Sequence, residues 1–263
     1  MHYENKIKRF ILRKDFWKRA KGRVNGLKRK LDKNEFDDLN YLFSLVNRSP
    51  EVILDCGANI GFVTHQFKTN FPNATIHAFE PNPSIFSRLN NHYENSDKVH
   101  CHNMGIADEN GELMFNVNAN SGTSSFLNPT EYHTSNLASR KITPIKVPVC
   151  AISNIMSKEK IHHIDILKLD IEGFEIKAMQ GIDDLSVNVS LIFTEVNLIP
   201  TYENQPLIED IIIYLRKKGF HIYNFYGINE NNDRQANITN LLFMSAKFKD
   251  ELIANGHKKC FSF

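Results

Sequence analysis

Apolar residues recur along this chain with two periods. Short runs rich in β-branched and aromatic residues at Val52–Cys56, Ala74–Glu80, Val99–Met104, Ile164–Asp170, Val189–Val196, His221–Phe225 and Leu241–Ser245 predict strands. Apolar positions at three- and four-residue steps predict helices at Phe62–Lys68, Pro83–Tyr93, Glu172–Gln180 and Pro206–Lys218, with Glu35–Val46 leading into the first strand. Such alternation is the pattern of a mostly parallel sheet covered on both faces, because each crossover helix must lie over the sheet it connects. The alternation breaks between Gly111 and Val149. Leu113–Val117 and Ile145–Val149 predict an added strand pair there, and the polar stretch between them, NANSGTSSFLNPTEYHTSN, is long enough to predict a lid or binding loop. A second polar stretch, Asn229–Asn237, predicts a loop before the last strand.

Charge adds a segment that periodicity alone does not separate. Residues 1–33 carry 13 Lys or Arg against three acidic residues, although the whole chain sums to only +2. Ile7, Phe10, Ile11, Trp17, Val24, Leu27 and Leu31 recur there near helical spacing, so a basic amphipathic helix is expected. Its leading reading is a stripe packed on its own domain or on a second subunit of a homo-oligomer. A peripheral contact of residues 6–31 with an anionic membrane surface comes second, and nucleic acid is the least favoured. No run of about 18 apolar residues occurs, and MHYENKIKRF lacks the apolar stretch of a signal peptide. A cytoplasmic protein is expected, either free or at the inner face of a membrane.

With 263 residues and 41% hydrophobic content, the chain can bury one sizeable core. Cys56, Cys101, Cys150 and Cys260 are scattered without a Cys-x-x-Cys pair, which argues for reduced structural thiols. The pairs His100/His102 and His162/His163 come without further ligands nearby and read as packing or surface residues.

The sharpest local signal is VILDCGANIGF, Val52 to Phe62. A strand ends in Asp55, Gly57 and Gly61 follow four residues apart, and a helix begins, which is the nucleotide-binding turn of doubly wound folds. A dinucleotide fingerprint would need glycines where Asn59 and Phe62 stand, and no Gly-Lys-Ser/Thr follows as in a phosphate-binding loop. The second strand ends in FEPNP, with Glu80 where a carboxylate can accept both hydroxyls of a ribose. Asp55 is placed to accept the ammonium of an amino acid moiety or to orient the amides of the turn. An adenosyl amino acid without a pyrophosphate describes S-adenosylmethionine.

VILDCGANIGF, FEPNP, GIADENGE (Gly105 to Glu112), the NSGTSSF loop and above all ILKLDIEGFE (Ile166 to Glu175) together resemble the FkbM family of S-adenosylmethionine-dependent methyltransferases, over about Val52 to Phe225. The resemblance implies an α/β, Rossmann-like class I methyltransferase fold. Its doubly wound, mostly parallel seven-stranded sheet would carry an inserted β-hairpin and an N-terminal helical extension. The expected division is a basic extension over 1–48, the methyltransferase domain over 49–250 and a tail over 251–263. It also implies cofactor contacts from Asp55, Gly57, Ala58, Asn59, Gly61 and Phe62 in the turn, from Glu80, Pro81 and Asn82, from Gly105 and Ile106, and from Asp170. The implied reaction is O-methylation of a hydroxyl, often on a sugar or a polyketide.

The reacting end should lie at the fourth strand. The Asn/Asp-Pro-Pro-aromatic turn common in base methyltransferases is replaced there by Lys168-Leu169-Asp170-Ile171-Glu172-Gly173, which favours a hydroxyl acceptor. An aliphatic hydroxyl needs a base and alignment with the sulfonium methyl. Lys168 and Asp170 share a face of the strand, Glu172 opens the next helix, and Glu195 ends the neighbouring strand. Two readings stay open. In one, a carboxylate or His133 of the long loop is the base and Lys168 a counter-ion; in the other, Asp170, Glu172 and Glu195 hold Mg²⁺ or another divalent cation. The expected acceptor is a sugar, glycan or lipid-linked saccharide, covered by the loop holding Ser121 to Ser125, Tyr132 and His133. The alternatives are an RNA methyltransferase and a non-catalytic S-adenosylmethionine-binding scaffold.

Overall fold

The structure is a computed structural model that describes residues 34–131, 142–231 and 234–257. The basic segment 6–31, Tyr132, His133 and Cys260, all of which carried sequence expectations, lie outside the described residues. The chain divides into two compact units, Met1–Leu39 and Asn40–Phe263. In the first, the described residues open helix α1 (Glu35–Leu45), where the Asn34 side chain accepts from the backbone N–H of Asp37 at 2.9 Å as an N-cap. No described helix is long and apolar enough to cross a membrane.

The second unit is built on one seven-stranded sheet. Its strands are β1 (Val52–Cys56), β2 (Thr75–Phe79), β3 (Val99–His102), β7 (Ile164–Leu169), β8 (Val189–Asn197), β9 (Phe220–Glu230) and β10 (Ala236–Ser245). They lie in the order β3-β2-β1-β7-β8-β10-β9, parallel throughout except for β10, which runs against both of its neighbours. All six residues of β7 and the last four of β1 are buried, as central strands covered on two faces require. The covering helices include α2 (Phe62–Asn70), α3 (Pro83–Tyr93), α4 (Ile152–Lys158), α5 (Glu175–Gln180), α6 (Leu185–Asn188), α7 (Ile208–Lys217) and α8 (Ala246–Ala254).

The interruption in the alternation is a second, three-stranded sheet. β5 (Gly111–Val117) pairs antiparallel with β6 (Thr143–Ala151), and β4 (Gly105–Ala107) pairs parallel with β6 on its other side. Two of its strands match the expected pair; the three-residue β4 is too short to leave a periodic signal.

Two boundaries differ from expectation. The helix expected from Glu172 begins only at Glu175, because Glu172 and Gly173 hold φ of 54° and 95° and form a left-handed turn. Strands extend into the expected loop 229–237 from both sides: β9 runs to Glu230 and β10 starts at Ala236. Residues flanking the expected span 49–250 make their own contacts: Phe43 packs edge-on against Phe71 and Phe248, and Arg48 pairs with Glu251 of α8 at 2.9 Å.

Candidate active site

Strand order reverses at β1, whose neighbours β2 and β7 are entered by crossovers of opposite sense, and the carboxyl end of such a strand is where a crevice opens. The VILDCGANIGF turn sits at this point. Phe79 O accepts from the N–H groups of Gly57 and Ala58, at 3.1 and 2.9 Å, and Cys56 O accepts from Asp170 N at 3.2 Å, which binds the ends of β1, β2 and β7 together. Gly57 has φ of 80°, and a Cβ there would lie 1.9 Å from the carbonyl oxygen of Asp170. Only glycine lets the two strand ends approach this closely. Gly61 answers a different demand: a Cβ would meet Leu89 at 2.8 Å and Tyr93 at 3.0 Å, so its bareness admits helix α3 rather than a ligand.

Asp55 does not reach the crevice. It is fully buried, with one carboxylate oxygen 3.1 Å from Lys168 Nζ and the other accepting from Thr64 Oγ1 at 2.6 Å. The expectation that it takes a ligand ammonium does not fit this position, whereas the alternative of orienting the turn does. Lys168 Nζ also donates to Gly57 O at 3.0 Å and lies 3.4 Å from Asp170 Oδ2. Burial pulls its pKa down, but the charges of Asp55 and Asp170 outweigh that, so it is raised and the ammonium stays charged. Lys168 is thus a fixed internal cation joining the turn to the end of β7.

Glu80 is where the sequence places it, at the rim beside the turn. One carboxylate oxygen accepts from Asn59 N at 3.0 Å and the other from Asn82 N at 2.8 Å, which aims the group into the crevice. Burial pushes its pKa up to about 7 despite these bonds. Asn82 caps α3 by accepting from Ser84 N. Phe62 is 72% exposed and Ala58 is buried in the turn, and neither they nor Asn82 line the crevice.

The crevice itself measures about 590 Å³ including its open mouth. Its lining follows the strand order: Met104, Gly105 and Ile106 after β3, Glu80 and Pro81 after β2, Gly57 and Asn59 after β1, then Asp170 and Glu172 after β7. The first group is apolar and the last acidic.

At the acidic end one oxygen each of Asp170, Glu172 and Glu195 lie within 4.8 Å of one another. Burial, then the charges of Glu195 and Asp170, push the Glu172 carboxyl well above the ordinary carboxylate range, and burial with Asp170 pushes Glu195 to about 8. Like charges this close oppose one another's ionisation, which favours bound protons in the cluster. Glu175, which fell within the expected helix, is buried and accepts from the N–H groups of Ile171 and Gly173 at 3.3 and 3.1 Å, which fixes the turn that carries Glu172.

The insertion between β5 and β6 reaches this crevice. Ser121 Oγ and the Asn59 amide exchange hydrogen bonds at 3.1 and 3.2 Å, Ser125 Oγ donates to Glu172 O at 2.7 Å, and Tyr202 Oη donates to Thr123 O at 2.8 Å. Ser121, Gly122, Ser124 and Phe126 line the crevice with Phe115. Phe115 and Phe126 escaped the sequence reading; the signal that could have found Phe126 is an aromatic ring set inside an otherwise polar loop.

A doubly wound sheet with one reversed strand, a glycine turn at its switch point and a carboxylate ending the second strand make up the fold of class I S-adenosylmethionine-dependent methyltransferases. The sequence model for the methyltransferase FkbM domain matches residues 55–222, and the chain belongs to that family. Among curated proteins it is similar to Methyltransferase 1 of Beauveria bassiana, at 28% identity over 145 residues, 50% of this chain and 58% of that protein. It is similar also to the 2-O-methyltransferase NoeI of Sinorhizobium fredii, at 25% identity, covering 62% of this chain and 70% of NoeI. The hexuronic acid methyltransferase AglP of Haloferax volcanii is 24% identical, covering 56% of each chain. The chain therefore spans just over half the length of the first and third of these relatives.

Proposed function

We propose that this protein transfers the methyl group of S-adenosylmethionine to a hydroxyl of a saccharide. The observation that supports it most is the placement of Asp170, Glu172 and Glu195 at one end of the crevice whose middle holds Glu80 and the glycine turn. Glu80 accepts the ribose hydroxyls, which puts the sulfonium at the acidic end. There its positive charge is stabilised, and a carboxylate accepts the proton of the attacking hydroxyl as the new C–O bond forms and the methyl–sulfur bond breaks. The saccharide class is supported by NoeI, a 2-O-methyltransferase, and AglP, a hexuronic acid methyltransferase.

A second reading of the same cluster follows from the mutual closeness of its three carboxylate oxygens, which suits a divalent cation that binds the acceptor oxygen and lowers its pKa. Turnover with uronic acid and oligosaccharide acceptors, followed as gain of one methyl by mass spectrometry with and without EDTA, tests both. Methylation unaffected by EDTA supports the carboxylate base. Activity lost in EDTA and restored by Mg²⁺ supports the cation. No methyl gain on any saccharide, with S-adenosylmethionine bound, overturns the acceptor class.

A further inference from the structure

The β5–β6 insertion was expected to cover the acceptor, yet its Phe126 belongs to the apolar lining of the crevice. Phe126 is half-buried, and it lines the crevice together with Met104, Gly105, Ile106 and Phe115. Its ring lies 4.9 Å from that of Phe115 and 5.0 Å from that of Phe174, centroid to centroid, so two rings buttress it from behind. A Cβ on Gly105 would come within 2.4 Å of Phe126 Cζ, so glycine at 105 is required by this ring rather than by a ligand. The segment carrying Phe126 is held rigidly: Ser125 exchanges backbone hydrogen bonds with Asn116, at 2.8 and 3.2 Å, Ser124 Oγ accepts from Asn118 N at 3.0 Å, and Ser121 is tied to Asn59. Such a wall is preorganised, not a mobile cover.

The orientation of the cofactor, which rests on the proposed function above, decides what the wall meets. With ribose at Glu80 and sulfonium beside the carboxylates, the purine, joined to the other side of the ribose, falls to the apolar part of the crevice, which does not suit the charged amino acid tail that extends from the sulfur. We infer that Phe126 is an adenine-stacking residue, seated by Phe115, Phe174 and the bare backbone of Gly105, so that the insertion completes the cofactor site. The insertion thereby serves both parts of the site: Phe126 takes the base, while its neighbour Ser125 fixes the backbone of Glu172.

The test is calorimetric binding of S-adenosylhomocysteine and of adenosine to wild type, Phe126→Leu, Phe126→Trp and Gly105→Ala. Leu keeps apolar volume but removes the π face, so it separates stacking from mere packing. Phe126→Leu is expected to weaken both ligands on the order of 10-fold, in line with base–aromatic stacking, with Phe126→Trp close to wild type. Gly105→Ala, which must displace the ring, is expected to weaken binding as much as Phe126→Leu, and the double variant Gly105→Ala/Phe126→Leu no further than either alone. Wild type that binds S-adenosylhomocysteine while Phe126→Leu binds it equally well overturns this inference alone. Wild type that binds neither ligand overturns the cofactor orientation, and the inference with it.

Discussion

The ammonium of Lys168 lies 3.1 Å from a carboxylate oxygen of Asp55, with the two side chains 3% and 0% exposed. Removing one partner of such a pair strands the other as a buried charge. Lys168→Met is therefore expected to lower the unfolding free energy by about 3–5 kcal/mol, and Asp55→Leu/Lys168→Met to lose less than Lys168→Met alone. Denaturant titration of the two variants checks this, and a loss below about 1 kcal/mol for Lys168→Met would show that the pair does not lock the sheet. The raised pKa of Lys168 makes the contribution complete below its ordinary value of 10.5 and lost only in stronger alkali, so the pair adds no slope near neutral pH.

Gly57 and Gly61 should fail differently when replaced by alanine. Both hold positive φ, at 80° and 94°, and each substitution carries about 1–3 kcal/mol of backbone strain. At Gly57 the new methyl also collides with the Asp170 backbone, whereas at Gly61 it meets the side chains of Leu89 and Tyr93. Gly57→Ala is expected to abolish S-adenosylhomocysteine binding, and Gly61→Ala to lower stability while retaining it. Equal affinities in the two variants would contradict the assignment of Gly57 to the junction of β1 and β7.

Asp170→Asn and Glu195→Gln keep shape and remove charge. If the cluster takes the proton of the acceptor, each lowers turnover by about 10²–10⁴-fold while S-adenosylhomocysteine affinity changes less than about tenfold. A variant that methylates at the wild-type rate removes its residue from the reaction.

The same carboxylates set a pH dependence with a definite sign. Glu195 titrates near 8 when folded, because burial and Asp170 oppose its ionisation, against an ordinary value of 4.5. The folded state then holds more protons than the unfolded one between these values, so stability is highest below about pH 4.5 as far as this group is concerned, and falls as pH rises through 8. Unfolding free energies measured in EDTA across that window should decline with pH in wild type and decline less in Glu195→Gln. Indistinguishable slopes would mean that Glu195 ionises normally in the folded protein.

The sheet was legible in the sequence because its central strands are apolar on both faces and its crossovers keep helical spacing; VILDC marks β1 to the residue. The glycine turn, Glu80 and the carboxylates of KLDIEGFE were legible because strand ends converge at one edge. The tertiary partners of each side chain were not. Asp55 reads equally well as ligand contact or internal anion until Lys168 and Thr64 are found beside it. Gly61 and Gly105 signal close approach without saying to what, and here the answers are α3 and Phe126. The turn at Glu172–Gly173 was hidden because its left-handed backbone is stabilised from a distance, by Ser125 and by the buried Glu175.

The reversed direction of β10 has a consequence for the layout of the strand-bearing unit. Because β10 runs back toward the edge where β1 begins, the strand-bearing unit is entered near Arg48 and left through α8 on the side away from the crevice, and the Arg48–Glu251 contact clasps entry to exit there. The reactive rim and this clasp therefore lie at opposite edges of the sheet.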